Sequence, residues 1–289
     1  MRGIRTALWL VLIASIMAST IIDRRASTVP TLAATPDGFL VAEADFHVHA
    51  FLGDGALPPW DLAREARRRG LDVIAVTNHN QNYALRLHGA LFSPPLHPIV
   101  IPGIEVTTPD YHLAAIGVTR PIDWRLSLPD AIRAIHAQGG IAIGAHPVNR
   151  FWDGVQPDAL FLIDALEVAH PAGSDAEWRR ALDAVYARAR QIKPTIAPIG
   201  SSDYHFGAPM GAWRTRVLVR ELSIAGVLEA VRAGRTVAYD PEGRVFGEQK
   251  WIDAVAAAPN RARAGDNGAQ HTAMAGAWLA LAFLLLFRR

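Results

Sequence analysis

A chain of 289 residues with no cysteine, a formal charge of +2 and 51% hydrophobic residues is long enough for one large domain or two small ones. The missing cysteine excludes disulfides, thiolate metal sites and cysteine nucleophiles, so any metal must be held by His, Asp and Glu. The small charge gives no electrostatic footprint for nucleic acid, and no such partner is expected.

The apolar excess sits at the two ends. Residues 7–22 form a nearly unbroken apolar run between Arg2 and Arg5 on one side and Arg24 and Arg25 on the other. Residues 1–23 therefore read as a signal peptide or a signal-anchor helix, and the lack of a small-x-small cleavage site directly after the run favours the anchor. A buried core helix is the plain alternative. Residues 24–38, rich in Thr, Ala, Ser and Pro, read as a linker.

From 39 to 245 short apolar runs alternate with amphipathic segments. Strands are expected at 41–49, 72–77, 98–107, 112–118, 141–145, 165–169 and 195–200. Helices are expected at 58–69, 128–138, 175–190 and 223–233, with Asp61 and Glu65 early in the first and Gly139 and Gly234 as stops of two others. Alternating strand and helix predicts an α/β barrel-like domain with a parallel inner sheet. Residues 246–272 read as a second linker and 273–287 as a C-terminal transmembrane or membrane-associated helix. An amphipathic terminal helix is the alternative, but residues 277–286 have no polar face. With Arg288 and Arg289 closing that run, the basic flanks predict both ends in the cytoplasm and the domain outside the membrane, or a secreted domain if the first helix is cleaved.

In barrels of this kind, ligand-binding groups gather beyond the C-terminal strand ends. His47 and His49 end the first strand and, by alternation, share a face. Alone, His-x-His is weak, and two ordinary polar residues explain it. Asp54 follows on a Gly-Asp-Gly turn, where a simple turn aspartate is the plain reading. Asn78-His79-Asn80 tips the next strand. Glu105 lies among apolar neighbours, where a free charge is costly, so it must be paired, protonated or bound to a cation, and coordination is the simplest of these. His112 opens an apolar run, as a satisfied core histidine also could. His146 follows Gly144-Ala145, and Asp203 and His205 repeat the i, i+2 spacing.

The run His47-Val48-His49-Ala50-Phe51-Leu52-Gly53-Asp54-Gly55, then Glu65-Ala66, Gly70 to Asn80, Gly103-Ile104-Glu105, His112, Gly144-Ala145-His146-Pro147 and Ser202-Asp203-Tyr204-His205, resembles the motifs of the PHP (polymerase and histidinol phosphatase) family of metal-dependent phosphoesterases, in order, over residues 42–239. The stand-alone hydrolases of that family are the nearer branch. The resemblance implies a distorted seven-stranded β/α (TIM-like) barrel with two or three divalent ions (Mn, Zn or Fe) at its mouth. His47, His49, Glu105 and Asp203 would hold the first ion, Glu105 would bridge to a second on His146 and His112, and Asp54, His79 and His205 would complete a third position. Glu105, Asp203 and His205 would be catalytic through metal-activated hydroxide. One departure is Asn78, where the family usually has Asp, which lowers the local negative charge by one.

The expected reaction is hydrolysis of a small phosphoester. Arg150, His170 and Arg214 are candidates to bind the phosphate, each with a surface or packing role as the plain alternative. The same ions would also serve a carboxylic ester, carbamate or amide, and a membrane-tethered metal-binding protein without turnover is the reading from another class. His88, His97 and His136 are expected on exposed segments. Glu167 is read as paired with a neighbour near the mouth, and Trp152, Trp178 and Trp213 as packing.

Overall fold

The computed structural model describes residues 2–22, 31–81, 97–148, 157–206, 209–258 and 268–286. The alternation seen in the sequence becomes β2 (Leu40–Val48), α2 (Pro59–Arg68), β3 (Val73–Val76), β4 (Ile99–Thr107), β5 (His112–Ile116), α3 (Leu128–His136), β6 (Ile141–Gly144), α4 (Pro157–Leu162), β7 (Ala165–Ala169), α5 (Ala176–Ile192), β8 (Ala197–Gly200), β9 (Arg214–Val219), α6 (Ile224–Arg232) and β10 (Thr236–Tyr239). β1 (Ala33–Ala34), β11 (Val245–Phe246) and α7 (Gln249–Ala256) flank them, and α1 (Arg2–Ile22) and α8 (Gly268–Leu286) are the terminal helices. Local chemistry sets the helix starts. Ser127, Asp175 and Ser223 cap α3, α5 and α6 by accepting N–H bonds from the first turn, and α2 opens on proline with Asp61 in its first turn. Gly139 and Gly234 adopt φ of +78° and +66°, as helix stops require.

The strands form one sheet in the order β11-β10-β9-β2-β3-β4-β5-β6-β7-β8, with β1 added to β2. The result is a mixed α/β architecture with a nearly closed, barrel-shaped sheet, and it has more strands than the expected seven. Its inner sheet is not wholly parallel. β2-β3-β4 and β6-β7-β8 are parallel runs, whereas β5 is antiparallel to both its neighbours and β9 is antiparallel to β2. Residues 108–111 between β4 and β5 are too few for a crossover, which needs about a dozen, so the chain must turn back. Between β8 and β9 the barrel closes by side chain: the Thr215 hydroxyl accepts from Gly200 N at 2.8 Å and donates to Gly200 O at 3.0 Å.

Small and branched residues, with the one ring of Phe46 among them, fill the interior, including Ala42, Ala44, Ala75, Ile101 and Ile143, and α6 closes the end opposite the loops that carry the candidate ligands. Helices α3, α4 and α5 cover one side. α7 covers β10 and Val41, so part of the expected linker 246–272 is a packed helix. The terminal helices lie against α2. Gln270 of α8 donates to Ser19 O of α1, and Gly276 faces Ser15, so the two helices run antiparallel. Each is long and apolar enough to cross a membrane.

Candidate metal centre

The site begins with a fault in a strand. Asp45 pairs with Ile74 and Val48 with Val76, leaving Phe46 and His47 opposite Ala75 alone. Such a bulge re-aims the residues beyond it. Below it Ala42, Ala44 and Phe46 point into the barrel. Above it His47 and His49 point inward, and Val48 turns outward among residues of α2 and α8.

Glu105 is the hub. Its Oε2 lies 3.3 Å from His47 Nε2, 3.4 Å from His49 Nε2 and 2.8 Å from His79 Nδ1. Its Oε1 lies 2.7 Å from His112 Nδ1 and 3.2 Å from His146 Nε2. Asp203 Oδ1 stands 3.2 Å from the Nε2 of both His47 and His49, and its Oδ2 stands 3.5 Å from His170 Nε2. Asp54 reaches His49 Nδ1 at 2.8 Å, His79 Nε2 at 3.2 Å and His205 Nε2 at 3.1 Å. His112 arrives because β5 is antiparallel: its first residue lies opposite Thr107, at the same end of the barrel as the strand ends of its neighbours.

Three sets of atoms could each surround an ion: His47, Glu105 and His146; His47, His170 and Asp203; and His49, Asp54, His79 and His205. The first two sets are mostly buried, and the third is the more open. The Nε2 atoms of His47, His49 and His170, together with Glu105 Oε2 and Asp203 Oδ1, are buried without a hydrogen-bond partner. Buried polar atoms left this way are costly, and a cation at their focus satisfies nitrogen and oxygen together.

The electrostatics agree. Burial drives the histidine pKa values down, but the carboxylates outweigh it. Asp203, Glu167 and Glu105 hold His47 well above its usual value, Asp203, Asp54 and Glu105 lift His49 to about 10, and Asp54 and Glu105 lift His79 to about 9. Against the opposing effect of burial, the histidines hold Glu105, Asp203 and Asp54 below the ordinary carboxylate range. The carboxylates thus favour positive charge among the imidazoles, which protons or a divalent cation can supply.

An outer layer fixes these side chains. Glu167 Oε1 meets His47 Nδ1 at 2.9 Å, and Oε2 accepts from His146 N at 2.6 Å, a carboxylate–histidine arrangement that aims Nε2 at the centre. Buried Asp45 accepts from Ser202 N, Ser202 Oγ, Gly211 N and His47 N, and burial pushes its carboxyl up to about 6 against those bonds. The Asn78 amide accepts from Ala50 N at 2.6 Å and donates to Ala50 O at 3.4 Å. Asn80 pairs likewise with both backbone groups of Thr107, so His79 hangs between two amide clamps. A Cβ on Gly55 would fall 1.8 Å from His49 O, so the Asp54 turn closes only with glycine there. His146, Asp203 and Asn80 take φ of 28°, 46° and 45°, strained values of the kind that accumulate at functional sites.

All nine metal candidates of the sequence thus converge, and Asn78 acts as a clamp on the Ala50 backbone instead of facing the centre. His170, expected beside phosphate, lies among the candidate metal ligands. Its pairing with Asp203 comes from adjacent β7 and β8, which no sequence spacing reveals. Glu167, expected to pair with a neighbour, does so with His47. Arg214 departs from expectation. Thr215 faces Gly200 across the seam, so Arg214, one residue away, points to the outer wall. There it donates to Gly211 O and Arg69 O and meets Glu43. Arg150, His88 and Trp152 lie outside the described residues. His97 and His136 are partly buried against Asp72 and Asp164, which corrects their expected exposure. Trp213 packs on the core, and Trp178 is exposed.

No family model matches the chain. An uncharacterized protein of Methanocaldococcus jannaschii is 27% identical over 122 residues, 37% of this chain and 68% of that one. A two-domain protein of Bacteroides vulgatus, described as containing a PHP-like metal-dependent phosphoesterase, superposes with a TM-score of 0.59 and 25% identity over 80% of this chain and 74% of its own. A metal-dependent phosphoesterase of Bifidobacterium adolescentis is similar at a TM-score of 0.39 and 18% identity, over 56% of this chain and 87% of its own, too distant to bear on the reading.

Proposed function

Because the chain has the fold of PHP-like metal-dependent phosphoesterases, we propose that it is a metal-dependent hydrolase of phosphate esters, with the catalytic domain held outside the cytoplasm by its terminal helices. The observation that carries this is the focus of five partnerless buried atoms, on His47, His49, His170, Glu105 and Asp203, at the end of the barrel where the strands deliver their ligands.

His47, His49, Glu105 and Asp203, with His170 beside them, would hold one divalent ion through the one free nitrogen of each imidazole. Glu105, His112 and His146 would hold a second, and Asp54, His79 and His205 a third. Bound there, such ions supply Lewis acidity toward a phosphoryl oxygen and lower the pKa of water. The protein's own part is orientation. Glu167 fixes the His47 ring, and Asp45 fixes the loop bearing Asp203 and His205. Thr107 Oγ1, 2.6 Å from His79 Nδ1, fixes that imidazole. Asp54, His79 and His205 are the solvent-reached ligands, with side chains 43%, 36% and 30% exposed, so the ester would approach across them.

The test is turnover of phosphate and carboxylic esters by purified full-length chain supplied with manganese, zinc or iron. Phosphate esters should be hydrolysed and the His47→Ala, His49→Ala pair should be inactive. Equal activity in that pair would remove the assignment, and turnover confined to carboxylic esters would replace the substrate class.

A further inference from the structure

The helices meant to reach a membrane do not leave the barrel at its closed end. α8 is fastened to the ligand-bearing loops: His271 Nε2 meets Tyr204 OH at 2.7 Å and Trp278 Nε1 donates to Gly55 O at 3.3 Å. Trp278 also packs edge-on against Phe51 and Phe206. Tyr204 lies between Asp203 and His205, and Gly55 follows Asp54. Along α1, Ser19 and Thr20 are fastened to Asp61 and Trp60 in the first turn of α2, which also follows that loop. Beyond Trp278 α8 continues from Leu279 to Leu286 and, running antiparallel with Ser15 facing Gly276, α1 continues from about Leu12 back to Arg2. Both arms therefore project past the metal mouth.

Their lengths settle how close the bilayer comes. At 1.5 Å per residue the projecting part of α8 is about 12 Å long and that of α1 about 16 Å, against a hydrocarbon layer of about 30 Å. Arms this short are seated in hydrocarbon along their length only if the anchored turns, and with them the rim of the mouth, come to the headgroup layer. The rim suits that layer. Leu52 and Phe206, next to ligands Asp54 and His205, are 52% and 53% exposed. Trp278 packs on that rim against Phe206, where an indole ring favours a membrane interface. On the arms Ile4, Leu10, Leu279 and Leu286 are each more than half exposed, a surface suited to lipid tails.

We infer that the helix pair presses the metal mouth onto the bilayer surface, and that the site draws its substrate from the membrane: a phosphate ester of an amphiphile whose tail stays in lipid. The substrate half rests on the phosphoesterase reading above; the placement half does not. Hydrolysis would break the P–O bond to the alcohol and form one from water, whose proton passes to the alcohol oxygen. The apolar alcohol remains in the bilayer and phosphate leaves into water.

The cysteine-free chain makes the test direct. Leu52→Cys, Phe206→Cys and, at the closed end of the barrel, Arg120→Cys are each labelled with bimane and reconstituted in phosphatidylcholine vesicles. Headgroup-level nitroxide lipid should quench the first two labels at least twofold and leave the third unchanged. Equal quenching at all three, or none, overturns the placement. So does a blue shift without lipid, which would put a second copy of the chain on the rim. In the manganese-loaded wild type, kcat/KM for a long-chain phosphate monoester in vesicles should exceed that for its short-chain soluble analogue at least tenfold. Equal values overturn the substrate class. If no ester is turned over, the phosphoesterase reading fails while the quenching still decides the placement.

Discussion

The inner and outer halves of the metal cluster are built from the same side chains in opposite settings. His47, Glu105 and Glu167 are wholly buried, each fixed by a second carboxylate or histidine. Asp54, His79 and His205 are a third or more open or close to it, and hang on loops braced by amides and backbone. Rigid strands thus place the inner ligands and turns place the outer ones. On the proposed reading, the difference separates a part that must persist from a part that would meet substrate and exchange its ion.

The comparison can be broken most severely from inside. His47→Ala with His49→Ala removes ligands from all three sets, and turnover should fall by about 10³-fold or more with bound metal, counted by elemental analysis, close to none. Asp54→Asn touches the outer set alone: one ion should weaken about 100-fold while the others remain, and loss of all metal would show that the halves are not separable. Glu167→Gln keeps every inner ligand but loosens the aim of His47, and metal affinity should drop about 10-fold. No change would make Glu167 a packing residue. Asn78→Asp is the mildest. A carboxylate cannot donate to Ala50 O, so the variant should lose about 1–3 kcal/mol of stability in thermal unfolding and gain no metal; a further bound ion would return position 78 to the cluster.

Much of this was legible in the sequence because each ligand follows a short apolar strand, and strand ends converge wherever a barrel closes. The seven strands and four helices expected between 39 and 245 are present with ends shifted by a few residues. What stayed hidden depended on partners distant in the chain. Continued from Ala42 and Ala44, simple alternation puts His47 and His49 outside and Val48 inside; only the register against Ile74 and Val76 reveals the bulge that reverses this. The antiparallel setting of β5 follows from a short link. That of β9 does not, and neither Arg214 facing outward nor α7 docked on β10 could be read without it. Asn78 looked like a missing charge because its partner, the Ala50 backbone, is recognisable only in three dimensions.

Asp45 fastens Ser202 at one end and Gly211 at the other end of the loop that carries Asp203, His205 and Phe206, and it does so from the outer wall of the barrel. The loop is therefore a cassette with fixed ends. Phe206, half exposed between those ends, is open to exchange, by selection or by an engineer seeking a different substrate, while the seating of Asp203 is held from the strand.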